Sequence, residues 1–122
     1  MLQHNIAQLK LDNVTCVHQD YCKICKSIAQ DIVFIDPPWG GRRYKQLETV
    51  NLTLGSHEIP VLCQMLLPCC KFTVLKVPMK FNVFQFRQHI DCFQWIKLTP
   101  KVGLIVVNNR ACRQTVPGET FE

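Results

Sequence analysis

The segment Ile32-Val33-Phe34-Ile35 runs directly into Asp36-Pro37-Pro38-Trp39-Gly40-Gly41. Four large apolar residues in a row, three of them β-branched, predict a central strand buried on both faces. That strand has to stop at once, because two prolines cannot continue a ladder and two glycines permit tight turns. A buried strand with an abrupt polar end places Asp36 at its carboxyl end, where open α/β sheets put their ligands.

The rest of the chain fits that architecture. Apolar residues at 2, 6, 9 and 11 follow a helical period and predict a helix end over 2–11; Asp12-Asn13 breaks it, and Val14–Val17 reads as a strand. Residues 42–58 read as a polar loop, and Pro60–Leu67 as a short helix with Pro60 in its first position and Pro68 just past its end. Phe72–Val77 predicts a strand closed by Pro78, 83–90 a helix, and 95–98 and 102–107 two further strands. Strand and helix alternate before two strands arrive back to back. This order predicts an α/β fold whose sheet is mostly parallel and ends in an antiparallel hairpin. A doubly wound sheet opens with a strand and a Gly-rich turn. This chain opens in a helix, so residues 1–110 are expected to be the C-terminal portion of a Rossmann-like domain, with 111–122 a polar tail.

Composition narrows the class. At 122 residues and 48% hydrophobic, the chain is one small domain or part of a larger one, with enough apolar side chains for a core. Its net charge of +5 favours an anionic partner. There is no apolar run of membrane-spanning length and no signal-peptide pattern at Met1, so an intracellular protein is expected. Eight cysteines raise the question of a disulfide framework or a zinc site. Only Cys22-x-x-Cys25, preceded by His18, has metal-type spacing, and adjacent Cys69 and Cys70 make a poor second pair. Reduced thiols and no metal are the expectation.

Asp36-Pro37-Pro38-Trp39 suits one task, the presentation of an exocyclic amino group to an electrophile. A carboxylate and a backbone carbonyl fixed by proline can both accept hydrogen bonds from an NH2 group, so positioning supplies most of the catalysis. Trp39 offers a stacking surface for the base. The plainer alternative is a Pro-Pro turn with a buried Trp.

The stretch Ile32 to Gly41, followed by Tyr44, resembles the trimethylguanosine synthase family. These are cap-specific guanosine N2 methyltransferases, class I enzymes that use S-adenosylmethionine. Asn5, Gln19-Asp20-Tyr21 and Asn51-Leu52-Thr53-Leu54-Gly55 extend the resemblance over roughly residues 2–107, although only the Pro-Pro-Trp-Gly-Gly stretch is specific. The resemblance implies that Asp36, Pro37 and Pro38 hold the target amine. Trp39 would stack on the 7-methylguanine. Asp20 and Tyr21, together with Asp36, would line the S-adenosylmethionine site. Arg42, Arg43, Tyr44 and Lys45 would meet the capped RNA, the first two and Lys45 through its phosphates. Lys76 and Lys80 are weaker candidates. Apart from the resemblance, His4, His18, His57 and His89 read as surface or structural, with His57 the one expected nearest a substrate loop.

Asp36 stands where characterised members often have Ser, and Asp there is common in adenine and cytosine amino methyltransferases. The family's Gly-rich loop and ribose-binding acid would precede Met1. The chain is therefore expected to bind S-adenosylmethionine poorly alone, with a second chain as one source of that half. A non-catalytic cap-binding module and an adenine N6 methyltransferase are the competing readings.

Overall fold

The computed structural model describes residues 12–41 and 46–112. In chain order these form α1 (Tyr21–Ile24), β1 (Ile32–Ile35), β2 (Thr53–Leu54), β3 (His57–Glu58), α2 (Ile59–Leu66), β4 (Phe72–Pro78), α3 (Val83–His89), β5 (Phe93–Lys97) and β6 (Val102–Asn108). The main sheet has the order β1-β4-β6-β5, and β2 and β3 make a separate small hairpin.

β1 pairs in parallel with β4, from Ile32 opposite Phe72 to Ile35 opposite Leu75. β6 pairs antiparallel with both β4 and β5. β1, β4 and β5 therefore point the same way, but β6 lies between the last two, so only one neighbouring pair is parallel. The expected mostly parallel sheet is corrected to a mixed one. Hydropathy patterns show that a strand exists but not which neighbour it chooses.

Both longer helices cover one face. α2 carries Pro60 in its first turn and buries Ile59, Leu62, Cys63 and Leu66, while α3 is capped by Asn82, whose side chain accepts from the Gln85 amide at 3.0 Å. Against them lie Val33, Ile35, Leu75, Val77, Ile105 and Val107. Phe86 is fully buried, edge-on to Phe81 and Phe93 with ring centroids 6.0 and 5.0 Å away.

The other face differs from expectation. Val33 and Ile35 are buried, but Ile32 is 65% and Phe34 60% exposed. Among the described residues β1 is an edge strand with one face covered, not a central strand buried on both. Residues 14–18 form no strand; Val17 is 55% exposed, and no ladder partner lies beside it among the described residues. The expected helix over 2–11 lies outside them. No helix among them is long and apolar enough to cross a membrane.

A buried polar knot locks the amino edge of the sheet. The Asn109 amide nitrogen donates to the Leu66 carbonyl at 3.0 Å and to Cys70 Sγ and Thr73 Oγ1 at 3.1 Å each. The turn after β6 thus has a structural task. Nearby, Cys92 is joined to Cys112, with Cα atoms 5.3 Å apart, while the other six cysteines are free. The expectation of reduced thiols throughout is corrected for this pair. The start of β5 and the turn after β6 meet only once the sheet forms.

Gly103 has a steric reason. A Cβ there would lie 2.6 Å from Trp95 Cζ2 on the neighbouring strand. Gly103→Ala is therefore expected to destabilise by about 1–3 kcal/mol, read from the midpoint of urea unfolding.

Candidate functional site

The parallel register sets the site. Because Ile35 lies opposite Leu75, the next step brings Asp36 beside Lys76. Their side chains form an ion pair at 3.8 Å, with the carboxylate 53% and the ammonium 41% exposed. Such an exposed pair contributes little stability. It does orient the carboxylate at the carboxyl end of the parallel pair. Lys76, a weak candidate in the sequence, thus meets the motif directly.

The turn that follows has one buried and one exposed proline, Pro37 and Pro38 respectively, and Trp39 is half-buried against the core. Gly40 and Gly41 have φ of +86° and +65°, and nothing lies within 4 Å of where a Cβ would stand. Backbone conformation, not crowding, calls for glycine here. Arg42, Arg43, Tyr44 and Lys45 lie outside the described residues.

A cavity of about 310 Å³ runs along β1, lined by Tyr21, Gln30, Ile32 to Asp36 and Leu54. Two of the expected cofactor residues, Tyr21 and Asp36, meet on its wall. The Tyr21 hydroxyl donates to Gln30 Oε1 at 2.9 Å, and burial pushes its pKa up, partly offset by that bond. Asp20 is not at a strand end. It caps α1, with Oδ1 accepting from the Cys22 amide at 3.0 Å, and its carboxylate sits against the Gly55 turn. Cys22 Sγ donates to the Leu54 carbonyl at 3.1 Å, tying α1 to the β2–β3 hairpin. His57 lies in β3, its Nδ1 3.3 Å from Ser56 Oγ.

Gln30 and Leu54 are not among the site residues the sequence suggests, although Leu54 lies in a stretch that carries the resemblance. Neither carries a chemical signal of its own. Each reaches the cavity because α1 and the hairpin fold beside the edge of β1.

The thiols near this region report burial. Desolvation raises the pKa of Cys22, with Asp20 adding to it, and raises those of Cys63 and Cys69 as well. The folded chain therefore keeps protons that the unfolded chain releases above about pH 8.5. Their stabilising contribution is fully present below that pH and lost above it. The melting temperature is expected to fall as pH rises from about 8 to about 10, and Cys63→Ala to lessen that slope.

The Asp-Pro-Pro-Trp turn thus lies beside this cavity, at the carboxyl end of the parallel pair, and comparison with known proteins gives the methyltransferase class. The chain belongs to the RNA cap guanine-N2 methyltransferase family, a family of S-adenosylmethionine-dependent enzymes, whose model it matches over residues 1–112. It is 32% identical over 112 residues to "Uncharacterized protein L320" of Acanthamoeba polyphaga mimivirus, a match covering 87% of this chain and 44% of that protein. The chain thus spans less than half the length of this curated relative.

Proposed function

We propose that this chain carries the acceptor site of a methyltransferase that acts on the N2 amine of a 7-methylguanosine RNA cap, in the C-terminal portion of a Rossmann-like sheet. The observation that carries the reading is the position of Asp36, which lies at the carboxyl end of the parallel pair and on the wall of the cavity that also holds Tyr21. The parallel β1–α2–β4 unit supports the Rossmann-like assignment.

In this reading the Asp36 carboxylate and a carbonyl fixed by Pro37 and Pro38 accept the two N2 protons and hold the nitrogen lone pair on line. Trp39 stacks on the cationic 7-methylguanine. Arg42, Arg43, Tyr44 and Lys45 follow the motif and contact the cap phosphates and sugar. The apolar wall of Tyr21, Ile32, Phe34 and Leu54 fits the adenine half of S-adenosylmethionine, and the Asp36 carboxylate suits a nearby positive sulfonium. Asp20 lies one residue before Tyr21 and contributes charge to the same end. When bound, the cofactor supplies an electrophilic methyl group. The setting is inside the cell, where capped RNA is found.

Calorimetric titration of the chain with S-adenosylmethionine and with a 7-methylguanosine cap analogue tests this reading. Binding of both supports it in full. Cap binding alone confines the chain to recognition, with the chemistry requiring a further segment or chain. Absence of both refutes it.

A further inference from the structure

The three strands that point the same way all end at one edge of the sheet, the edge that carries Asp36. Past the motif, this edge presents Lys80 after β4, Lys97 as the last residue of β5 and Lys101 in the β5–β6 turn, all exposed. Their backbones are laced together. The Met79 amide donates to the Lys101 carbonyl at 3.1 Å, and the Val50 amide, in the loop downstream of the motif, donates to the Lys80 carbonyl at 2.8 Å. Lys97 faces Gly103 across the hairpin. From residue 71 to residue 112 the chain has a single carboxylate, Asp91, and it precedes β5 at the opposite edge. The ends of β4, β5 and β6 are thus cationic with no carboxylate among them. Lys76 lies within β4, beside Asp36, and is not counted in this rim. An ordinary solvated surface mixes both signs of charge; at this edge the Asp36 carboxylate is paired with Lys76, and the ends of β4 and β5 and the turn before β6 add three exposed lysines.

We propose that Lys80, Lys97 and Lys101 form a second phosphate-binding rim, which holds the RNA chain beyond the capped nucleotide. The inference rests on the cap reading for its direction, with the base at Trp39 and the strand leaving across the sheet edge. Strands about 4.8 Å apart place β5 three steps and roughly 14 Å from β1, a reach that suits a short single-stranded stretch. Lysine ammonium groups on flexible stems act as point charges for phosphate and read no sequence, so the rim raises affinity for any RNA chain.

The test is fluorescence anisotropy with a capped single-stranded RNA of about ten nucleotides, its uncapped counterpart, and the cap analogue alone. The variant is Lys80→Gln with Lys97→Gln and Lys101→Gln. A control of equal charge loss is Lys26→Gln with Arg87→Gln and Arg110→Gln, away from that edge. At about 50 mM salt the rim variant is expected to bind both RNAs on the order of tenfold more weakly. Its log affinity should fall less steeply with log salt, the slope changing by about two for three lost contacts on a single strand. Cap-analogue affinity should stay unchanged and the control should keep most of its RNA affinity. Equal losses in rim variant and control, or no RNA binding by the unmodified chain, would overturn the rim. Should RNA binding depend on the rim while the cap analogue fails to bind, the rim stands and the cap reading falls.

Discussion

Phe86→Ala is expected to cost about 3–5 kcal/mol, as truncations of fully buried aromatic side chains do. Small domains have roughly 5–15 kcal/mol in total, so this one change removes a large share of the margin. The ring is fully buried and meets Phe81 and Phe93 edge-on, so it joins α3 to the turn after β4 and to the start of β5. Its loss leaves a cavity where three elements meet, which cannot collapse without moving one of them. Urea unfolding followed by far-UV circular dichroism reads the change. Phe86→Leu should recover much of it, because most of the volume returns. If the alanine variant unfolds within about 1 kcal/mol of the parent, the site is less tightly packed than the ring contacts imply.

Asp36→Ala is expected to weaken cap-analogue binding by tenfold or more. A charge-assisted hydrogen bond is worth about 1.5–3 kcal/mol, which corresponds to roughly ten- to 150-fold in affinity. The carboxylate is 53% exposed, so its removal leaves the fold intact, and a thermal melt within a few degrees of the parent confirms that. Asp36→Asn separates two contributions. Its amide oxygen still accepts from the amine but lacks the charge that favours a cationic base and pairs with Lys76. Intermediate affinity for the Asn variant assigns part of the effect to charge. Affinity of the Ala variant equal to that of the parent would leave the carboxylate no part in recognising the base.

The motif was legible because local chemistry specifies it. Two prolines and two glycines after an apolar run stop a strand wherever they occur, and Gly40 and Gly41 both adopt positive φ. The α2 helix was legible to within a residue for a related reason, since Pro60 and Pro68 bracket an apolar face. α3, β4, β5 and β6 followed from runs of suitable length. Partnership was not legible. Nothing in Ile32–Ile35 announces that one of its faces is exposed among the described residues, and nothing in Val14–Val17 announces that no strand lies beside it. A period of apolar residues says that a face can be buried but not what covers it.

The candidate site divides along the same line. Asp36, Pro37, Pro38 and Trp39 are adjacent in sequence, so their grouping needed no fold. Tyr21, Gln30 and Leu54 join Asp36 around one cavity only because α1 and the β2–β3 hairpin fold against the edge of β1. Lys76 reaches Asp36 across 40 positions of sequence through the parallel register alone. The meeting of Cys92 with Cys112 and the Asn109 knot likewise depend on strands that close in space. Sequence by itself determined the bounds of β1, α2, β4, α3 and β6 to within a residue, and the place of the turn at 36–41, because these depend on neighbouring residues and backbone sterics. Tertiary structure alone decided strand order, the burial of each face and the residues that surround the turn, because these depend on contacts between distant segments that no local pattern encodes.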